Sequence, residues 1–166
     1  MDGVDLIIRA AHVDDADVMG IIHVRAWQSA YRGVMPDAYL DALWRSIIDG
    51  HGGSPVLVAV LDGRVVGFAT VGAERTEGEQ SASGELYAMN LDPDVWGRGI
   101  GRALLQRTTE ELVRLGFPDA VLWVVPENQR ARALYESDGW HPDGAVATEE
   151  ILGVAVTDIR YRKQLL

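Results

Sequence analysis

The stretch Leu91-Asp92-Pro93-Asp94-Val95-Trp96-Gly97-Arg98-Gly99-Ile100-Gly101-Arg102-Ala103-Leu104-Leu105 decides the fold. It lies inside a run from Leu86 to Leu115 that reads as an apolar strand, a proline turn, a glycine-rich loop and a long helix. Glycine at 97, 99 and 101 strips side chains from a segment about to become helical. Bare backbone N–H groups at the positive end of a helix dipole suit an anion such as a pyrophosphate. Two common owners of such a loop do not fit. A P-loop closes its glycine turn with Lys and Ser or Thr, whereas Gly101 is followed by Arg102-Ala103. A dinucleotide fingerprint needs its third glycine at position 102, which is Arg. The strands before Glu85 also read as a hairpin, not as parallel crossovers.

Outward from the loop, the chain alternates strand and helix signals. Leu6 to Ala10 reads as a first strand. A helix follows to about Tyr31, with Asp14 and Asp15 as caps and apolar residues at Val18, Ile21, Ile22 and Val24. Gly33 breaks that helix, and Pro36 opens a short second one ending near Trp44. Pro55 to Leu61 and Arg64 to Val71 are strands joined by Asp62-Gly63, a strong hairpin link. Ala73 to Gly84 is a polar loop, and Glu85 to Leu91 is a strand stopped by Asp92-Pro93-Asp94. The helix after the glycines carries Ile100, Leu104, Leu105, Leu112 and Leu115 on one side and stops at Gly116, two residues before Pro118. Its Arg and Glu residues from Arg102 to Arg114 read as a solvated face. Ala120 to Val125 is a continuous apolar run, expected of a strand buried on both faces. Asn128 to Asp138 is a helix closed by Gly139, and the tail from Ile151 to Tyr161 includes one further strand. This order describes an α/β chain with one mixed sheet and helices on its faces, in a single domain over residues 1–166.

Composition narrows the function. The formal net charge of −10 argues against a nucleic-acid partner, which needs a basic face. Arg98, Arg102 and Arg107 supply at most a local basic patch. With no cysteine, the chain has no thiolate metal site, disulfide or cysteine nucleophile. His12, His23, His51 and His141 share no metal-ligand spacing, so no metal is expected. No apolar run reaches the length of a membrane span, and the residues from Met1 to Asp5 lack a signal-peptide pattern. A cytoplasmic protein without a membrane partner is therefore expected.

The central stretch resembles the acyl-CoA-binding motif of the GNAT family of N-acetyltransferases. That motif is Gln or Arg, two residues, Gly, one residue, then Gly or Ala, after a strand ending in an apolar-x-Pro step. Leu91-Asp92-Pro93 is the step, and Gly99 and Gly101 match the two small positions. Trp96 stands where the family usually has Gln or Arg. Val125-Pro126-Glu127-Asn128-Gln129-Arg130-Ala131-Arg132-Ala133-Leu134-Tyr135-Glu136-Ser137-Asp138-Gly139-Trp140 resembles the family's second signature. Trp27 to Leu40 resembles the first two helices of many bacterial members.

The resemblance implies a mostly antiparallel central sheet with helices on both faces and one splayed parallel strand pair. It implies acetyl-CoA as cosubstrate and transfer of the acetyl group to a primary amine in a ternary complex. The pantetheine arm would lie along Met89, Asn90 and Leu91. Trp96, Gly97, Arg98, Gly99, Ile100, Gly101 and Arg102 would form the pyrophosphate cradle, and Asn128 would bond the cofactor arm or cap its helix.

A primary amine has a pKa near 10, so its ammonium must lose a proton before attack, and the departing thiolate must gain one. By resemblance, Tyr135 is the acid on the cofactor's sulfur; as a plain residue it is a core aromatic. Glu85 is the candidate base, sharing a strand face with Tyr87, Met89 and Leu91, where apolar walls would raise its pKa. Glu74, Glu77 and Glu79 are weaker rivals, and an ordered water could serve instead. By resemblance, Trp27, Tyr31 and Arg32 lie on the acceptor side; as a plain residue, Trp27 packs its helix on the sheet. The acceptor is a small amine or a peptide. Two further readings stand beside this one: a peptide or ribosomal-protein N-terminal acetyltransferase, and a non-catalytic acyl-CoA sensor. Family relatives are often homodimers.

Overall fold

Asp62 and Gly63 both take positive φ, 49° and 78°, which is the turn that closes a two-residue hairpin with the right twist. The computed structural model that shows this describes residues 5–30, 54–75, 81–151 and 153–166. Its elements are β1 (Leu6–Ala10), α1 (Ala16–Ala30), β2 (Val56–Leu61), β3 (Arg64–Ala73), β4 (Gly84–Leu91), α2 (Ile100–Arg114), β5 (Asp119–Val124), α3 (Gln129–Ser137), β6 (His141–Ile151) and β7 (Val154–Gln164). Among the described residues the strand order is β1-β2-β3-β4-β5-β7-β6. β4 and β5 run parallel, while β1–β2, β2–β3, β5–β7 and β6–β7 are antiparallel. The expected mixed α/β sheet with one parallel pair is therefore present. The expected helix from Pro36 to Trp44, the break at Gly33 and His51 lie outside the described residues. No helix among those described is long and apolar enough to cross a membrane.

The chain divides into two units, residues 1–70 with 88–108 and residues 71–87 with 109–166. In the first, α1 buries Met19, Ile22, His23 and Ala26, an i, i+3, i+4, i+7 stripe. Met19 and Ile22 pack with Val58, Val60 and Phe68. This corrects the expected apolar face: Val18 and Ile21 are 40% and 60% exposed. A buried histidine holds a position that hydrophobicity alone assigned elsewhere. The caps expected at Asp14 and Asp15 also change. A 3-10 turn at Val13–Asp15 precedes α1. Asp15 reaches back, accepting from the His12 amide at 2.7 Å and from both terminal nitrogens of Arg9 at 2.7 and 3.1 Å. Those donors hold the Asp15 carboxyl well below its usual 3.8, at about 2, with the Arg9 hydrogen bond the largest cause.

In the second unit, Ala120, Val121, Leu122 and Val124 are buried, as the apolar run required. Gly84 opens β4 because there is no room for a side chain; a Cβ there would sit 2.7 Å from Leu112 and 2.9 Å from Phe117. The further strand expected between Ile151 and Tyr161 is β7. One strand was missed and two expectations fail in this unit. β6 was not legible because it is an edge strand carrying Pro142 and Gly144. Its register shifts between Pro142 and Val146, a common way to blunt an edge. Leu115 is exposed because α2 ends one residue earlier. The charged face of α2 is also not wholly solvated. Glu111 is buried and accepts two bonds from Arg114, at 2.5 and 3.0 Å.

The folded pKa of Asp15 lies below its unfolded value, so its contribution is present above about pH 4 and is lost as pH falls toward 2. Asp15→Asn should lower stability at pH 7 by about 1–2 kcal/mol, the range for charge-assisted hydrogen bonds. Urea unfolding of both proteins should show the gap shrink by about half at pH 3. A gap independent of pH would show that the charge of Asp15 contributes nothing.

Candidate active site

The loop from β4 to α2 is built within the first unit. The Asp92 amide donates to the Val66 carbonyl at 2.8 Å. Its carboxylate caps a 3-10 turn at Pro93–Val95 by accepting from the Asp94 amide at 3.0 Å. Val95 and Ile100 are buried with Ala59, Leu61 and Val66, so both ends of the loop are pinned by apolar packing. Trp96 lies between them, and its indole N–H donates to the Leu91 carbonyl at 3.1 Å. The residue that departs from the family pattern thus ties the loop back to the strand.

Gly97 and Gly99 have φ of +75° and +81°, a region that costs an L side chain about 1–2 kcal/mol. A Cβ on either would meet nothing within 4 Å. The backbone conformation, not crowding, demands glycine here, and the space beyond the loop is open. The Ala103 amide is bonded to the Gly99 carbonyl at 3.2 Å, so the N–H groups ahead of it belong to the first helical turn, which leaves them without intrahelical acceptors. That turn carries no acidic residue, and Arg98 and Arg102 are exposed beside it. This is a backbone cradle of the right charge and openness for a pyrophosphate.

β4 changes character along its length. Gly84, Glu85 and Leu86 are buried, whereas Tyr87 to Leu91 are half-buried. The parallel register with β5 covers the buried three, Gly84↔Ala120 through Leu86↔Leu122. Met89, Asn90 and Leu91 thus fall on the more accessible part of the strand. The Asn90 amide nitrogen lies 3.4 Å from His23 Nδ1. Burial pushes His23 down to about 4, so its neutral ring accepts this bond. Trp27 packs on the same ring, centroids 5.7 Å apart. Tyr31 and Arg32 lie outside the described residues, as do Glu77 and Glu79.

In the second unit, Glu85 is only 3% exposed, and it is ion-paired. Its carboxylate accepts from the Arg75 amide at 2.8 Å and from the Arg75 guanidinium at 3.1 Å. Arg75 in turn lies 4.2 Å over the Tyr87 ring. Glu74 is held by Ser81 at 2.5 Å and Arg160 at 3.1 Å. Tyr135 is buried, with ring centroids 6.5 Å from Trp140 and 6.4 Å from Tyr161. The Tyr161 hydroxyl donates to Glu136 at 2.7 Å and accepts from Arg132 at 2.9 Å. Arg132 also donates to the Pro126 carbonyl at 2.9 Å, which anchors the helix bearing Tyr135. Asn128 caps that helix, its side-chain oxygen accepting from the Ala131 amide at 3.1 Å. Sequence reasoning missed Arg25, Arg75 and Arg132. Each finds its partner by tertiary packing, and no spacing rule announces it.

Residues 21–140 match the family model described as the acetyltransferase (GNAT) family. The chain is 32% identical over 126 residues to the uncharacterized N-acetyltransferase YuaI of Bacillus subtilis, covering 73% of this chain and 72% of that protein. It is 40% identical over 83 residues to the mycothiol acetyltransferase of Kocuria rhizophila, covering 48% of this chain and 27% of that protein. The crystal structure of PaiA N-acetyltransferase from Thermoplasma acidophilum in complex with coenzyme A shares the fold. Its TM-score is 0.73 at 19% identity, over 96% of this chain and 99% of that one.

The folded pKa of His23, about 4, lies below its unfolded value of 6.5. The unfolded chain therefore takes up a proton first, and this group lowers stability as pH falls from 6.5 toward 4. Its ring resonances should stay those of a neutral imidazole from pH 8 down to pH 5 in a nuclear magnetic resonance titration. A midpoint near 6.5 would contradict the burial that sets this value.

Proposed function

The chain belongs to the GNAT acetyltransferase family, and on that premise we propose that it transfers the acetyl group of acetyl-CoA to a primary amine of a small molecule or peptide. The observation that carries this reading is the loop itself. Two left-handed glycines, with open space beyond them, deliver the chain into a helix whose first turn lacks acid. Acetyl-CoA supplies an acetyl group already activated as a thioester.

The roles follow the family resemblance. The N–H groups of Arg98 to Arg102 hold the pyrophosphate, and the backbone of Met89 to Leu91 carries the pantetheine arm. The half-buried state of those strand residues supports the second assignment. Trp96 acts through its bond to the Leu91 carbonyl, keeping strand and loop in register. Asn90 and Asn128 serve the same arm by holding its surroundings, one against His23 and the other at the start of α3.

Glu85 receives the ammonium proton through a water, because Arg75 already occupies one direction on each of its oxygens. A carboxylate keeps further lone pairs for such a water. The free amine attacks the thioester carbonyl, the new C–N bond forms and the C–S bond breaks. Tyr135 donates its hydroxyl proton to the departing sulfur, and the second proton that the nitrogen sheds returns through water to the tyrosinate, leaving an amide and a thiol. Packing between Trp140 and Tyr161 supports that role by limiting the ring's movement. Trp27, Tyr31 and Arg32 remain the proposed acceptor-side residues.

Thiol release from acetyl-CoA, measured across a panel of primary amines and short peptides, tests this. At least one amine should accelerate release, and Tyr135→Phe should lower kcat by about 100-fold while CoA binding stays within about twofold. CoA binding with no amine able to accelerate release would replace catalysis with acyl-CoA sensing.

A further inference from the structure

Asp92 and Asp94 place two carboxylates in the turn that leads to the glycine loop. Asp94 is four residues from Arg98, a stretch that spans at most about 14 Å when fully extended. The 3-10 turn and the Trp96 bond shorten it. Fixed negative charge at such range repels an incoming phosphate in dilute salt. Asp92 is nonetheless needed, because it caps the turn.

Arg25 of α1, 67 and 69 residues away in sequence, reaches both acids. Its Nη1 donates to Asp92 Oδ2 at 2.6 Å, and its Nη2 donates to Asp94 Oδ2 at 3.0 Å. Ile22 and Ala26, on either side of it in the helix, are buried, so the base of the side chain is fixed. A guanidinium keeps its charge at any working pH and presents its donors as a rigid fork. The Asp92 side chain is 14% exposed and that of Asp94 is 76% exposed. Water alone can solvate Asp94, so burial does not explain why Arg25 holds it.

We propose that Arg25 is a positioning residue for cofactor binding, offsetting the charge of Asp92 and Asp94 so that the adjoining backbone cradle accepts a pyrophosphate. The inference rests on reading that loop as the pyrophosphate site. Arg25 holds the turn in shape and removes part of the repulsion that the turn's own cap creates. The same contact fastens the helix that leads toward the acceptor-side residues to the turn that precedes the cofactor loop.

Calorimetric titrations with CoA and with pantetheine, which lacks the phosphates, separate charge from bracing. Arg25→Gln should weaken CoA about fivefold at low ionic strength and less than about twofold at 0.5 M salt, with pantetheine binding unchanged. Asp94→Asn added to Arg25→Gln should restore about half of the lost affinity. Asp94→Asn alone, a change at an exposed site, should tighten CoA. An equal loss for CoA and pantetheine, a loss that Asp94→Asn does not restore, or weaker CoA binding by Asp94→Asn alone would make Arg25 a mere brace and overturn the proposal. Wild-type protein that binds CoA no more tightly than pantetheine would instead remove the cradle reading, and this inference with it.

Discussion

Two left-handed residues, Gly97 and Gly99, turn the end of β4 into the first turn of α2, and the proposed cofactor site depends on that reversal. The turn is held from both ends. Val95 and Ile100 are buried in one cluster, Asp92 is bonded to Val66, and the Trp96 indole is bonded to Leu91. With so many anchors the loop has little freedom, and its amides are arranged before any ligand arrives. Preorganisation of this kind limits the ordering cost of binding. On the proposed function, a chain with a net charge of −10 meets a polyanion through a local field made by backbone dipoles and a few arginines.

Much of this was readable in the sequence. Asp62-Gly63, Gly97, Gly99, Gly116 and Gly139 are backbone requirements, and backbone requirements leave direct traces in residue type. The continuous apolar run at 120–124 reported a strand buried on both faces for a similar reason. Where the physics was local or strictly periodic, element and residue agreed.

The misreadings share one cause, which is that tertiary context overrode local preference. His23 is buried in a stripe that hydrophobicity assigned to Val18 and Ile21. β6 lacks an alternating pattern because an edge strand has little to bury and reason to carry proline and glycine. Glu85 was placed on the correct strand, but its partner Arg75, ten residues earlier, lay in a stretch that read as featureless loop. The Glu85 carboxylate is therefore ion-paired and hydrogen-bonded. Tyr135 is packed among aromatic rings, as its plain reading required. Asn128 likewise caps its helix whatever else it does.

On the proposed function, the left-handed glycines matter for what their amides bind, beyond the fold they permit. Gly99 and Gly116 offer a matched comparison: φ is +81° at one and +91° at the other, and an added Cβ would meet nothing within 4 Å at either. Alanine at each position should therefore cost similar stability, about 1–2 kcal/mol. Titration of CoA into the two variants is the direct measurement. Gly99→Ala should weaken CoA by more than about tenfold, while Gly116→Ala should bind it as the unaltered protein does. Equal affinities in the two variants would contradict this reading.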